Sequence, residues 1–168
     1  MARSTTSKSS SVSRTVPYVV RDSKVHGKGV FARRKILAGA KIVEYKGERI
    51  TWKEAGRRDP HDPDNPYHTF FFSLDNGRVI DGGVGGGPAR WINHACDPNC
   101  EAIEEDGRVF IYALRDIRRG EELNYDYGLI IDERYTPTLK RAYACWCNAS
   151  TCRQTMLAPK RKASSKQA

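Results

Sequence analysis

The chain has 168 residues, 39% of them hydrophobic, which suits one compact domain and excludes two independent cores. No stretch approaches the ~20 consecutive apolar residues of a membrane helix, and residues 1–13 lack the apolar core of a secretory signal. We therefore expect an intracellular protein with no membrane partner, in which the five cysteines are metal ligands or free thiols.

The formal net charge of +9 is concentrated at the two ends of the chain. Residues 1–14 contain three bases and residues 153–168 contain five, with no acid in either segment, whereas the part between them has 21 bases and 20 acids. We predict disordered basic tails at residues 1–15 and 157–168, and a nearly neutral body that is not a DNA-binding domain. Two roles stay open for the tails: weak, salt-sensitive contacts with nucleic acid, or solvated ends that aid solubility.

Short strands and turns dominate the first half of the body. Strands are predicted at residues 18–21, 29–32 and 41–45. Thr51 and Glu54 form a capping box, Thr-x-x-Glu, which predicts a short helix that ends near Arg58. Three prolines and three aspartates between residues 59 and 67 then predict an irregular loop.

Two β-hairpins are the clearest local features of the sequence. Each consists of two runs of strand-forming residues around an Asn-Gly or Asp-Gly pair, and such pairs suit the positive φ angles of a type I′ turn. The hairpins are Asn76-Gly77 between residues 69–74 and 78–81, and Asp106-Gly107 between residues 102–104 and 109–113. With a second short helix predicted at residues 137–143, the whole is expected to be a β-rich α+β domain.

Three cysteines near the C-terminus, Cys145, Cys147 and Cys152, form a C-x-C-x₄-C cluster. Sulfurs this close in sequence can converge on one ion, and tetrahedral zinc favours thiolate ligands. A fourth ligand must then come from elsewhere, and Cys96 and Cys100 are the other two cysteines. The alternative interpretation is a set of ordinary reduced thiols.

Three further motifs are weak when taken one at a time. They are the Gly-x-Gly at residues 27–29, the Asn-His pair at residues 93–94, and the alternating tyrosines Tyr125 and Tyr127. The Asn-His pair could only satisfy backbone groups in a loop, and alternating tyrosines often pack in a core. The Gly-x-Gly does not open a βαβ unit and no phosphate-loop Lys-Ser/Thr follows it, which disfavours nucleotide phosphate binding.

In their order along the chain, these pieces resemble the SET-domain family of protein-lysine methyltransferases. The matching segments are residues 27–29, 44–48, 90–99 and 122–127, together with the post-SET cysteines Cys145, Cys147 and Cys152. The resemblance covers about residues 19–156 and includes no cysteine-rich pre-SET segment. It implies small β-sheets, a C-terminal pseudoknot in which the segment after residue 94 passes through a loop, a SET domain at residues 16–136, and a zinc-bound post-SET cap at residues 137–156.

The resemblance also implies roles for individual residues in catalysis and metal binding. Tyr127 takes the central catalytic position, and Tyr45 and Tyr125 line the channel for the substrate lysine. Cys96 becomes the fourth zinc ligand, and Cys100 stays free.

A further group of residues is implied to bind S-adenosylmethionine. These residues are Gly27, Lys28, Gly29, Phe70, Arg90, Asn93, His94 and Trp146. The Gly-x-Gly backbone would hold the methionine end of the cofactor, because missing side chains permit close approach. Phe70 stands where many family members have tyrosine. Trp146 either closes the channel and covers the adenine, or only packs against the zinc cluster.

The implied reaction is methyl transfer from S-adenosylmethionine to a lysine side-chain amine in a protein, either a histone or another basic protein. Such a transfer depends on alignment more than on a strong base, because an apolar tunnel lowers the pKa of the incoming lysine. Tyrosine at position 125 implies mainly monomethylation. The alternatives are a SET-like binding or scaffold module without catalysis, and a small zinc-containing nucleic-acid binder. We expect a nuclear, chromosomal location in a eukaryote and a cytoplasmic or nucleoid location in a bacterium.

Overall fold

The computed structural model describes residues 15–58 and 69–160. Within these residues, ten short strands, two short helices and one 3-10 turn build a β-rich α+β domain, which confirms the predicted fold class. The strands are β1 (Tyr18–Asp22), β2 (Lys28–Ala32), β3 (Lys41–Tyr45), β4 (Glu48–Thr51), β5 (Phe71–Ser73), β6 (Arg78–Asp81), β7 (Asn93–His94), β8 (Cys100–Glu105), β9 (Arg108–Ala113) and β10 (Glu122–Tyr125). The helices are α1 (Trp52–Arg58) and α2 (Pro137–Ala142), and the 3-10 turn spans Pro88–Trp91.

The strands form three small sheets, ordered β1-β2-β10-β7, β3-β9-β8 and β4-β6-β5. The sheets share one hydrophobic core, because apolar residues alternate along the strands. In β9, for example, Val109, Ile111 and Ala113 are buried while the residues between them are partly exposed. All strands and both helices predicted from the sequence are present, with ends shifted by at most two residues.

The two hairpin turns differ from each other. Asp106-Gly107 has φ angles of 50° and 71°, as a type I′ turn requires. At the other hairpin only Gly77 has a positive φ, of 75°, so the type I′ prediction is wrong there. The N–H of Gly77 donates to Leu74 O at 3.0 Å, and the N–H of Leu74 donates to Arg78 O at 2.8 Å. The connection is therefore one residue longer than predicted, and a single left-handed glycine closes it.

Long-range pairing brings the Asn-His pair beside the tyrosines. Strand β7 runs parallel to β10, with Asn93 opposite Asn124 and His94 opposite Tyr125. The buried Asn99 holds the following segment in place, because its side chain donates to the Glu122 carbonyl at 2.8 Å. The segment after β7 is thus fastened along β10. Its passage through a loop, the predicted pseudoknot, stays a prediction.

The start and the end of helix α1 are both fixed by side chains. Thr51 Oγ1 accepts the N–H of Glu54 at 3.2 Å, as the capping box predicts. At the other end, Arg58 donates to the fully buried carboxylate of Asp81 at 2.9 Å and to Glu48 at 2.7 Å. These ion pairs attach the helix to the β4-β6-β5 sheet.

The packed chain continues past the predicted start of the C-terminal tail. Leu157 is buried, and Ala158 donates its N–H to Leu129 O at 2.8 Å, so the boundary at residue 157 is wrong. Arg153, counted above with the charge of that tail, is bound inside the domain. The predicted loop at residues 59–67 and most of both predicted tails lie outside the described residues. Within residues 15–58 and 69–160, no helix has the length and apolar character needed to cross a membrane.

Candidate active site and metal centre

Three tyrosines and a phenylalanine form one wall of a cavity of about 110 Å³. Tyr125 and Tyr127 lie at the end of β10 with ring centroids 4.9 Å apart, and Tyr45 lies at the end of β3. Phe72 joins them, with its ring 5.3 Å from Tyr45 and 6.4 Å from Tyr125. The cavity is therefore aromatic and narrow, as expected for a channel that admits an alkyl amine.

The three hydroxyl groups are held differently. Tyr127 donates to the carbonyl of Ile92 at 2.8 Å, and Tyr45 donates to the carbonyl of Phe70 at 2.8 Å. The hydroxyl of Tyr125 makes no hydrogen bond to any residue in the described segments. Burial raises the pKa of all three phenols above the ordinary value. They therefore stay protonated at neutral pH and can orient a reactant, but none can act as a base.

A second cavity of about 210 Å³ is also lined by Tyr127. Its lining residues include His26, Asn93, His94 and Trp146. Tyr127 and Met156 line both cavities. Two separate cavities therefore share the same tyrosine, an arrangement suited to transfer between two bound molecules.

A partly buried carboxylate, that of Glu122, connects the Gly-x-Gly segment to the second cavity. Glu122 Oε1 accepts from Asn93 Nδ2 at 2.8 Å and from Ser23 Oγ at 2.7 Å. Asn93 Nδ2 also lies 3.0 Å from the carbonyl of Lys28. A Cβ atom at Gly29 would collide with the same Glu122 oxygen, so a side chain at this position would require Glu122 to move. Glu122 and Ser23 were not predicted as site residues, although Glu122 begins the segment that contains both tyrosines.

The structure divides the residues implied to bind the cofactor between the two cavities. Asn93, His94 and Trp146 line the larger cavity. Phe70 and Arg90 line the tyrosine cavity instead. Residues 27–29 form the backbone segment held by Asn93, and Gly27 has a positive φ of 44°.

Arg90 packs between aromatic rings in the smaller cavity. Its guanidinium carbon lies 4.7 Å from the centre of the Trp91 ring and 5.7 Å from that of Phe70. Its Nη1 donates to the carbonyl of Gly82 at 3.0 Å, while its buried Nε has no partner among the described residues. Arg90 therefore has a spare donor beside the aromatic channel.

His94 stands between Tyr127 and the cysteines. Its Nδ1 accepts the backbone N–H of Tyr127 at 3.0 Å, so the ring hydrogen resides on Nε2. Nε2 lies 3.4 Å from the sulfur of Cys96. Burial lowers the pKa of His94 to about 4. The neutral ring thus joins the two groups by hydrogen bonds.

Four cysteine sulfurs converge beside this histidine. The sulfurs of Cys96, Cys145, Cys147 and Cys152 all lie within 4.8 Å of one another, with Cys96 3.7 Å from Cys145 and 4.0 Å from Cys152. Zinc–sulfur bonds of about 2.3 Å in a tetrahedron require sulfurs about 3.8 Å apart. The donor set therefore fits zinc. Cys100 is buried elsewhere, and burial raises its pKa to about 12, so it stays a thiol.

One ion pair fastens this cysteine cluster to β10. Both terminal nitrogens of Arg153 lie 2.8 Å from the carboxylate of Asp126, and the backbone N–H of Arg153 donates to Cys96 Sγ at 3.4 Å. Partial burial of Asp126 opposes its ionisation, but the hydrogen bonds from Arg153 keep its pKa below the usual value. This ion pair therefore links the cysteine cluster to Asp126, the residue between Tyr125 and Tyr127.

The sequence also matches known proteins. A model of the SET domain matches residues 27–128. The chain is 38% identical over 143 residues to histone-lysine N-methyltransferase trr of Drosophila melanogaster, covering 83% of this chain and 6% of that protein. It is 41% identical over 145 residues to the H3 lysine-4 specific histone-lysine N-methyltransferase of Saccharomyces cerevisiae, covering 83% of this chain and 13% of the relative. For histone-lysine N-methyltransferase set1 of Dictyostelium discoideum the identity is 37% over 139 residues, with 80% and 9% covered.

The chain thus corresponds to a small part of each of these longer relatives. The family match extends over more than half of the chain and includes the Gly-x-Gly, the Asn-His pair, Tyr125 and Tyr127. On this basis the chain belongs to the SET-domain family.

Proposed function

We propose that this chain is a protein-lysine N-methyltransferase that uses S-adenosylmethionine to methylate a lysine side chain. The observation that carries the proposal is the meeting of two separate cavities at Tyr127. One cavity is aromatic and suits the alkyl chain of lysine, and the other is larger and has His26, Asn93 and His94 among its lining residues. The relatives named histone-lysine N-methyltransferases support a histone, or another basic protein, as the substrate. A histone substrate would place the enzyme on chromosomes, and another basic protein in a bacterium would place it in the cytoplasm or nucleoid.

The residues of the larger cavity fit the proposed cofactor. Asn93 uses its amide nitrogen on Glu122 and Lys28, while its Oδ1 accepts no hydrogen bond from the described residues. That oxygen is available to an ammonium group such as the one on the methionine part of the cofactor. Trp146 lines the same cavity with 68% of its surface exposed, which supports its covering an aromatic base. When bound, S-adenosylmethionine supplies an electron-poor methyl group on a sulfonium.

The chain's own residues would align the lysine amine and lower its pKa. An amine inside the aromatic cavity loses water, which lowers the pKa of the lysine and favours the uncharged nucleophile. The Tyr127 proton is committed to the Ile92 carbonyl, so the hydroxyl oxygen presents its lone pairs at the junction of the cavities. Correct alignment of the reacting groups can lower the barrier by several kcal/mol, up to about 7–11.

We infer that the main product is monomethyl-lysine. The Tyr125 hydroxyl makes no hydrogen bond to the described residues, and it faces a cavity of only about 110 Å³. A water bound there would occupy space that further methyl groups need. Displacing it leaves a buried polar group unpaired, at a cost of about 1–3 kcal/mol. That cost would slow the second and third transfers relative to the first.

We also infer that the four-cysteine cluster holds one zinc ion, for which the sulfur spacing is the support. Its role would be structural, because four protein ligands leave no open coordination position. The metal would fix the segment that carries Trp146 and Met156 against both cavities.

A methyl-transfer assay tests the main proposal. The chain is incubated with radiolabelled S-adenosylmethionine and core histones, with an unrelated basic protein in parallel. We expect label on lysine, and a Tyr127→Phe variant that still binds cofactor but transfers at least a hundredfold more slowly, about 2.7 kcal/mol. A chain that binds cofactor and histone without any transfer would instead be the non-catalytic module.

A further inference from the structure

Four arginines form an exposed cluster on the folded domain, at the opposite end of the β2–β10 pair from the active site. We call Arg33, Arg34, Arg118 and Arg119 the arginine patch; all four are exposed. Within the described parts of the chain, none of the four side chains forms an ion pair with a carboxylate. The charge of the patch is therefore available to a partner.

Backbone hydrogen bonds hold the two loops of the patch side by side. Gly120 N–H donates to Ala32 O at 2.7 Å at one end of the patch. At the other end, the buried residues Ile36 and Ile117 exchange two hydrogen bonds of 2.8 and 2.9 Å. The arginines between these contacts are thus carried on a fixed backbone, although residues 33 and 118 are far apart in sequence.

The carboxylates nearest to the patch are already engaged. Asp116 pairs with Lys35 at 2.6 Å, and Glu121 pairs with Arg115 at 2.6 Å. Arg21 adds a further positive charge beside the loops, where it donates to the carbonyl of Gly120 at 3.1 Å. The local charge is therefore strongly positive, even though bases and acids nearly balance over the whole body.

We propose that the arginine patch binds the phosphate backbone of double-stranded DNA. Guanidinium groups bind phosphates through two parallel N–H donors, and DNA presents one charge per ~1.7 Å along its axis. A cluster of arginines without carboxylate partners matches that density better than it matches scattered carboxylates on an acidic protein. The contact carries no base specificity, because it involves only phosphates.

The position of the patch is compatible with simultaneous catalysis. Arg33 lies five positions after Lys28 of the Gly-x-Gly segment, along strand β2, a span of roughly 16 Å. DNA on the patch would therefore leave both cavities open. The basic segment at residues 1–14 also joins the described structure nearby, because Pro17 O accepts the N–H of Arg33 at 2.8 Å.

Binding of a short fluorescent DNA duplex by the full chain, measured by anisotropy at several salt concentrations, tests the proposal. The patch variant changes Arg33, Arg34, Arg118 and Arg119 to glutamine. If all four contact phosphates, the slope of log K against log salt flattens by about 3.6, at ~0.9 per contact. We expect the affinity to fall about tenfold or more at low salt, with the melting temperature and methyl transfer to a short free peptide unchanged.

A matched variant removes four charges from the terminal segments, with Arg3, Lys8, Lys162 and Lys166 changed to glutamine. We expect this variant to keep most of the affinity of the unmodified chain. If it loses the binding while the patch variant keeps it, the proposal is overturned in favour of the tails. Equal competition by a polyglutamate peptide would overturn the assignment to DNA. Because binding is measured without methyl transfer, its result is independent of the proposed catalytic function.

Discussion

The ion pair between Asp126 and Arg153 offers the sharpest test of how the proposed zinc site is coupled to the candidate active site. Both nitrogens of the Arg153 fork lie 2.8 Å from the carboxylate. The same carboxylate accepts the N–H of Gly128 at 3.0 Å, one residue beyond Tyr127. Arg153→Lys keeps the positive charge but removes the guanidinium group, whose two terminal nitrogens bind both oxygens of Asp126. The substitution should therefore loosen the cysteine cluster from β10 without unfolding either part.

The expected magnitude follows from the exposure of the pair. The side chains of Arg153 and Asp126 are 24% and 36% exposed, so solvent screens much of the attraction. Exposed pairs contribute about 0.2–1 kcal/mol, and the bidentate geometry places this one at the upper end, near 1 kcal/mol. A change of about 1 kcal/mol shifts the docking equilibrium of the cluster roughly fivefold.

Two measurements detect that shift: the rate of zinc release to a chelator, and amide hydrogen exchange at Tyr127, whose N–H is bound by His94. Both should rise about fivefold in Arg153→Lys. Arg108→Lys is the matched control, because Arg108 grips Glu44 in the same bidentate manner at 2.8 and 2.9 Å on a different sheet. Equal effects in both variants, or no effect in either, would refute the coupling.

The remaining predictions concern the tyrosines and the metal. Tyr127→Phe leaves the Ile92 carbonyl without its donor, so calorimetry should show a loss of about 1–3 kcal/mol in the free energy of unfolding beside the catalytic defect. Tyr125→Phe should shift products, followed by mass spectrometry, towards di- and trimethyl-lysine; unmodified enzyme that readily accumulates trimethyl-lysine contradicts the monomethylation proposal. X-ray absorption should show one zinc with four sulfurs at about 2.3 Å, and a disulfide in the cluster would exclude it. Burial raises the pKa of the Tyr45 and Tyr127 phenols above the ordinary value near 10. The stability that these groups contribute is therefore complete below pH ~10 and is lost as the pH rises further. Absorbance titration of the folded protein should show that neither phenol ionises near pH ~10.

Local features of the structure followed well from the sequence. The strand at residues 41–45 and the Thr51 cap could be predicted from neighbouring residues, and the structure has both. The type I′ prediction for the Asn76-Gly77 turn was wrong because the length of the turn depends on where the partner strand begins, which the Asn-Gly pair does not specify. The tail boundary was wrong because Leu157 is buried by a contact with Leu129, far back in the chain.

In the candidate site, too, some residues could be predicted from the sequence, and contacts between distant residues could not. Family motifs identified the cysteines and tyrosines, since these residues stand in a recognisable order. The contact of Glu122 with Ser23 and Asn93 could not be predicted, because it depends on the register of β10 against β2. The arginine patch was missed for a related reason. Counting charges along the chain gives a neutral body, whereas folding gathers the bases of two distant loops.

The position of Met156 has a kinetic consequence. This residue lies four positions after the last cysteine and lines both cavities. One short segment therefore forms part of the wall of the sites proposed for both reactants. Movement of that segment to exchange the spent cofactor would also loosen the hold on the modified lysine. Repeated methylation within a single encounter would then be rare, and each added methyl group would require a new encounter with the substrate. The enzyme would act distributively, and its product distribution would depend on the ratio of enzyme to substrate.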